Sequence, residues 1–340
     1  MVRGARKLVS GFKSRLRGRA EGERQVVASL QKQLAAKDRR ITQLNRELLR
    51  RSSGEASGVD PKNVVWIFGA GRTGSTWLCR MMGEIEGHTV WFEPWVGALL
   101  DPYHLRLEDR KGKHFILSPR YRGTWLRSIR NFVLDGAGAR FPEVSGDGYL
   151  VIKEPGGSVG APLLMEALPE SRMVLLVRDP RDVVASWMDA NREGGWRVER
   201  TKEGNLPTVA DDQTREYLQS VGERYLRNVG GAKKAYDLHE GHKVLVRYEE
   251  LRADTLGTMR HIYSVLEIPA DEEELERAVK EHSWENIPEE DKGEGKFYRK
   301  ATPGGWREDL TPEQVEMVER MTAPLLEEFY PGDTPRRLAP

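Results

Sequence analysis

The residues VVWIFGAGRTGSTW, 64–77, join an apolar run to a glycine-rich turn carrying the hydroxyls of Thr73, Ser75 and Thr76. Glycines let backbone N–H groups converge on an anion, and a helix starting just after the turn adds positive potential. The spacing Gly69-x4-Gly74-Ser75-Thr76 is the frame of a phosphate-binding P-loop. Its cation is displaced. Where nucleotide hydrolases have Gly-Lys-Ser/Thr, this chain has Gly74-Ser75-Thr76, with Arg72 two residues upstream of Gly74. A lysine in the usual place serves β- and γ-phosphates with Mg²⁺. Its absence suggests a donor with a single 5′-phosphate at the loop. The run VLLVRDPRD, 174–182, ends in Arg178-Asp179, unlike the plain apolar-run-then-Asp of a Mg²⁺ site. Both features count against a kinase or ATPase. Proton transfer needs a carboxylate or His near the loop. HTVWFEPW places Glu93 just past one apolar run, and YLVIKEP places Lys153 and Glu154 at the end of another. The bland alternatives are an exposed turn residue before Pro94 for Glu93 and a surface lysine at a strand end for Lys153.

These residues need a frame that gathers them. Short apolar runs at 64–68, 89–92, 149–152, 173–177 and 243–246 read as strands buried on both faces, as in a parallel sheet. Helical stretches alternate with them, at 75–86, 160–168, 181–191, 214–236, 256–266, 271–281 and 312–329. The pattern predicts an α/β fold: a P-loop-like, doubly wound parallel sheet with flanking helices. Ligands then bind outside the carboxyl ends of the strands, where the loop and Glu93 both fall. Two long connections, 98–147 and 192–212, are candidates for substrate binding or lids, with Trp196 a lid residue.

The chain has 340 residues, enough for one large α/β domain with appendages or two small domains. Nine Trp argue against general disorder, and no apolar run is long enough to span a membrane. The N-terminus lacks the apolar stretch of a secretory signal. A single cysteine, Cys79, excludes an internal disulfide framework and a multi-cysteine metal site. One HxxH (His239, His242) and one HxxE (His282, Glu285) each stand alone, so no protein zinc site is expected. The net charge of +1 hides an asymmetry: residues 1–51 carry 15 Lys and Arg against four acids, leaving the remainder near −10. Residues 1–20 are basic, with Leu8, Val9, Phe12 and Leu16 interleaved. They read as a solvated tail or as a segment resting on an anionic membrane surface. From Val27 a heptad pattern (Val27, Leu34, Ile41, Leu48 with Leu30 and Leu44) is interrupted at Lys37. It predicts a short coiled-coil stalk, hence a homo-oligomer, or else an amphipathic helix packed on the body. The expected organisation is a basic tail and coiled-coil helix at 1–51, a linker at 52–62, the main domain at 63–331 and a tail at 332–340.

The loop resembles that of the sulfotransferases that use 3′-phosphoadenosine 5′-phosphosulfate (PAPS), and the resemblance covers most of 62–331 in separated blocks. GRTGSTW is similar to the family's 5′-phosphosulfate loop. Carbohydrate-type and several bacterial members have Arg at the cation position, as here. The resemblance implies that Arg72, Thr73, Gly74, Ser75 and Thr76 hold the 5′-phosphosulfate and that Trp77 stacks near the adenine. RDPRDVVASW, 178–187, resembles the family's 3′-phosphate site, with Arg178 and Ser186 as the gripping pair. Ser186 lies about two turns along a helix starting near Arg181, on the face turned towards Arg178. FYRKATPGGWREDLT, 297–311, resembles the late loop over the 3′-phosphate and carries over Arg299 and Lys300; Ala301 and Gly305 depart from the usual Gly and Asp. VLVRYEEL implies an adenine-side Tyr248.

For catalysis, the family context of Phe92-Glu93-Pro94 implies Glu93 as base. Cytosolic members have Lys and then a base His near YLVIKEP; here Lys153 matches but Pro155 takes the approximate His place, leaving Glu154 as the alternative base. Lys153 and Arg72 are the candidates for stabilising developing charge. The resemblance thus implies an enzyme that moves a sulfuryl group from PAPS to a hydroxyl acceptor, a carbohydrate first and a lipid or other small alcohol next. The product is 3′-phosphoadenosine 5′-phosphate (PAP). Neither a metal nor a nucleic-acid partner is expected, and the location is cytoplasmic or peripheral at a membrane. The basic stretch 101–130, with Tyr103, Tyr121 and Trp125, is a candidate acceptor surface or a plain solvated face. The rivals are a P-loop kinase-like phosphotransferase and a non-catalytic coiled-coil scaffold on a similar fold.

Overall fold

A computed structural model describes residues 58–100, 120–144, 146–200 and 214–332, with parts of a helix between 26 and 44. The chain divides into two units, Met1–Gly54 and Glu55–Pro340. In the first, the described residues are helical and include Val27, Leu30, Leu34 and Leu44 of the heptad pattern. The basic tail at 1–20 lies outside the described residues.

The second unit is built on five parallel strands: β1 (Val64–Gly69), β2 (His88–Phe92), β3 (Tyr149–Lys153), β4 (Arg172–Val177) and β5 (Lys243–Arg247), in the order β2-β3-β1-β4-β5. Every residue of β1 is buried. Val65 and Ile67 pack on one side with Leu78, Met81, Val174 and Tyr263. On alternate positions Trp66 and Phe68 stack at 5.3 Å between ring centroids. Apolar residues on both faces are what a central parallel strand requires, because helices cover it above and below. The helices labelled here are α1 (Ser75–Gly83), α2 (Arg122–Arg140), α3 (Ala161–Ala167), α4 (Pro180–Asn191), α5 (Thr214–Leu238), α6 (Tyr248–Ala253), α7 (Thr255–Val265), α8 (Glu272–Glu281) and α9 (Pro312–Phe329).

The parallel sheet and all seven expected helices are present, with ends shifted by a few residues at most. Two differences have clear causes. Helix α2 occupies part of the connection expected at 98–147. It buries Leu126, Val133, Leu134 and Ala137, but Arg130 sits in the same stripe, 1% exposed and paired with Glu170 at 2.8 Å. A charge on the buried face disguises the apolar period. The body also begins earlier than 63: Val59 is buried, and the Asp60 carboxylate accepts from Lys62 N at 2.9 Å to start a short 3₁₀ turn.

Candidate active site

Every strand ends at the same edge of the sheet, and each end delivers a polar residue. Beyond β1 the loop turns through Gly74, at φ +88°, where a Cβ would stand 2.6 Å from the Tyr248 ring. Only glycine allows both that dihedral and that approach. Thr73 is fully buried, and its hydroxyl donates to Ala70 O at 2.8 Å. It ties the loop from behind and does not face the cleft, unlike its expected role. Arg72 has φ +72°, uncommon for a non-glycine residue and costly unless its surroundings hold it. Those surroundings are visible. Its Nε donates to Ser186 Oγ at 2.9 Å and its Nη2 to Phe297 O at 2.7 Å, and the guanidinium lies 4.8 Å from the Phe297 ring centroid. Burial, helped by Arg178, pushes its pKa down to about 10, so it stays cationic at neutral pH.

Beyond β4, Arg178 donates to Arg72 O at 3.1 Å and stacks 4.2 Å from the Tyr248 centroid, while its Nε is buried without a hydrogen-bond partner. Its main chain is held from two sides. Tyr225 Oη donates to Arg178 O at 2.7 Å, and Asp179 N donates to Glu249 Oε1 at 3.0 Å. Tyr330 Oη donates to the other Glu249 oxygen at 2.9 Å. Burial, despite these donors, raises the Glu249 pKa. Tyr225 and Glu249 are positioning residues that the sequence does not announce, since each reads as an ordinary helix residue. The 3′-phosphate candidates of the late loop reach the same cleft but already have acidic partners. Arg299 pairs with Asp309 at 2.6 Å, and Lys300 with Glu308 and Asp309, both at 3.0 Å. The loop is anchored where Asp182 accepts from Gly304 N at 2.8 Å and Trp306 N at 3.0 Å. On the opposite flank, Trp77 donates to His282 O at 2.8 Å and meets Tyr248 edge-on at 6.4 Å.

Beyond β2 and β3 stand the acid–base candidates. Glu93 N donates to Lys153 O at 2.8 Å, extending the parallel ladder by one residue. Lys153 Nζ donates back to Glu93 Oε1 at 2.5 Å. The lysine side chain is 7% exposed and the glutamate 41%, so the pair straddles the cleft wall with its carboxylate towards solvent. Glu154 behaves otherwise. It is 1% exposed, its Oε2 accepts from Trp95 N at 3.0 Å, and it does not line the cleft. Burial raises its pKa to about 7, against the backbone donors Trp95 and Gly97. The alternative base is therefore a structural carboxyl that holds the turn after Glu93.

The resulting cleft of about 1730 Å³ is lined by every sequence candidate for the donor and the chemistry except Thr73 and Glu154. Trp196 lines it too and packs edge-on against Phe297 at 5.2 Å. The described part of the basic stretch, 120–130, does not line the cleft; 101–119 lies outside the described residues. Among the described residues no His, Cys, Asp or Glu side chains are grouped as metal ligands. No described helix is long and apolar enough to cross a membrane.

In the strand order β2-β3-β1-β4-β5 the glycine-rich loop beyond β1 thus has the Arg178 cation beside it, beyond the adjacent β4, and the carboxylate–lysine pair on its other side, beyond β2 and β3. Residues 161–330, half of the chain, match the family described as Sulfotransferase domain, and the chain belongs to that family. Cytosolic sulfotransferase 17 of Arabidopsis thaliana is 28% identical over 221 residues, covering 56% of this chain and 59% of that protein. Amine sulfotransferase of Oryctolagus cuniculus is 24% identical over 177 residues, covering 47% of this chain and 56% of that protein. The chain thus spans less than two thirds of the length of these relatives. Among solved structures, mouse sulfotransferase SULT7A1 complexed with PAP superposes with a TM-score of 0.52 at 13% identity, over 79% of this chain and 86% of that one, a likeness of fold.

Proposed function

We propose that this chain transfers a sulfuryl group from PAPS to a hydroxyl of its acceptor. The observation that carries the reading is the convergence, at one sheet edge, of the Arg72 loop, the Arg178–Ser186 pair and the Glu93–Lys153 pair. The residues fit the donor. Arg178 Nε, buried without a partner, calls for an anion, and Ser186 and Arg72 stand beside it. Arg299 and Lys300 would exchange their acids for the same phosphate. The backbone around Gly74 would hold the 5′ end, and Trp77 with Tyr248 the base. PAPS supplies, when bound, a sulfuryl group on a phosphate leaving group. The Glu93 carboxylate accepts the proton of the acceptor hydroxyl. Lys153 orients that carboxylate, and with Arg72 places positive charge where negative charge develops.

The finer points belong to the same reading. A carbohydrate acceptor is favoured because Arg72 and Glu93 follow that branch of the family. A cytoplasmic location goes with the relative that bears the word cytosolic in its name. The chain assembles through its N-terminal helix, and the main domain runs from about Val59 to 331. Calorimetry tests the core of it. PAP should bind in EDTA, and much more tightly than ATP. Tight Mg²⁺-dependent ATP binding with no PAP binding would refute sulfuryl transfer.

A further inference from the structure

The cleft has a second cationic wall that the donor site leaves unused. Tyr248 covers the Gly74 end of the phosphate loop; Trp187 covers the other end, where a Cβ on Gly71 would lie 3.0 Å from the indole. Above that indole lie two guanidinium groups, Arg224 at 4.7 Å and Arg197 at 5.2 Å from its centroid. Arg200 and Arg227 line the same cleft, as does Glu199, while Glu223, next to Arg224 in sequence, does not line it and instead accepts from Gln219. The arrangement is built. Arg197 donates to Asn191 Oδ1 at 2.8 Å, and Asn191 donates in turn to Trp187 O at 2.8 Å and Tyr217 Oη at 2.5 Å. The Arg224 guanidinium pairs with the Tyr217 hydroxyl, but its Nη2 is buried with no hydrogen-bond partner of its own. Burial, with Arg197 and Arg227 repelling it, also pulls the Arg224 pKa down, partly offset by Tyr217. Like charges gathered around a buried donor without an acceptor oppose folding unless an anion joins them.

The position of the wall says which anion. The donor's phosphates are accounted for at Arg72, Arg178, Ser186, Arg299 and Lys300, and its base at Trp77 and Tyr248. Helix α5 carries Arg224 and Arg227 past Asn228, which also lines the cleft, to Gly231. There it lies against the backbone of Ser158 and Val159, just beyond the β3 end that bears Lys153. The wall and the Glu93–Lys153 pair therefore line one cleft, which an acceptor must enter.

We infer that the acceptor is itself anionic, its carboxylate, sulfate ester or phosphate ester held by Arg224 with Arg197 and Arg227 alongside. This deepens the sulfuryl-transfer reading and rests on it. The test uses the full chain saturated with PAP, so that the donor's phosphate sites are filled, and titrates sodium sulfate while following tryptophan fluorescence and heat. Saturable sulfate binding is expected. Arg224→Met should weaken it about tenfold, the usual loss for a charge-assisted hydrogen bond. Arg224→Lys should retain most of it, and PAP affinity should stay within about threefold in both variants. Methyl glucuronide should displace the sulfate where methyl glucoside does not if the group is a carboxylate; glucose 6-sulfate or 6-phosphate alone should do so if it is an ester. Sulfate binding that is absent, or equal in wild type and Arg224→Met, overturns the proposal. So does a tenfold loss of PAP affinity in Arg224→Met, which would give Arg224 to the donor. Failure of the wild type to bind PAP would instead sink the underlying sulfuryl-transfer reading.

Discussion

Replacing Glu93 by Gln separates two roles that the structure superimposes on one side chain: accepting a proton and seating Lys153. Glutamine is nearly isosteric and keeps an oxygen that can accept from Nζ, but it cannot take a proton from a hydroxyl. Losing a positioned base lowers turnover by roughly 10²–10⁴, or about 2.7–5.4 kcal/mol of barrier. The structural cost is smaller. Stripping the partner from a fully buried charge costs about 3–5 kcal/mol, but this pair is open at its carboxylate end, 41% exposed, and the amide retains a hydrogen bond to an ammonium that is 7% exposed. A surface-like value of about 1 kcal/mol is appropriate, equivalent to a fall of roughly 2–4 °C in Tm for a domain of this size. The assay pairs steady-state turnover, with PAPS and the best acceptor from a hydroxyl panel, with PAP calorimetry and a melting curve. The expected result is a large loss of kcat, PAP affinity within about threefold, and a small drop in Tm. Near-normal kcat with a lowered Tm would refute the reasoning, because the carboxylate would then serve only to hold Lys153.

Arg178→Ala should act on binding first, weakening PAP by about 10- to 100-fold, the range for a hydrogen bond to a charged group; calorimetry reads it, and unchanged affinity would remove Arg178 from the donor site. Glu154→Gln should flatten part of the pH dependence of stability. Its carboxyl titrates near 7 when folded against an ordinary value of 4.5, so wild-type stability falls as pH rises through that window and levels off above it. Relative to wild type the variant should gain about 3 kcal/mol between those limits, read from denaturant melts at pH 4.5, 6 and 7.5; parallel profiles would show that the native carboxyl is ionised throughout. Deleting residues 1–54 should leave the melting temperature of the second unit and its PAP affinity unchanged, with analytical ultracentrifugation reporting any change of mass; a truncated protein that does not fold would place the first helix within the body.

The sheet was legible because a doubly covered strand leaves little choice of residue: five short apolar runs gave all five strands. The loop was legible because its backbone demands glycine at Gly74. What escaped was whatever depends on neighbours distant in sequence. Arg130 hides the inner face of α2 because its partner, Glu170, lies across a second helix. Thr73 and Glu154 stand in the right stretches of sequence with the wrong side facing the cleft. One residue of rotation past a strand end is enough for that, and sequence position does not record it. The acids that hold Arg299 and Lys300, Glu308 and Asp309, stand in the same block of sequence, but residue type does not record that the loop folds back to pair them, so its charge was readable and its pairing was not. Arg224 carries no motif at all; its meaning comes from the indole beneath it.

The register of β1 has a consequence for how this protein is made. Val64 pairs with Leu150 and Val65 with Arg172, partners on the order of 100 residues further along. The central strand leaves the ribosome first among the five and cannot find either neighbour until much later in synthesis. No hairpin shelters it meanwhile. A chain stalled before residue 149 exposes a continuous apolar segment with two open edges, a template for aggregation. Folding should therefore be slow relative to helical proteins of this size and dependent on chaperone occupancy during translation. Recombinant yield should then respond more to lowered temperature and holdase supply than to substitutions on the surface.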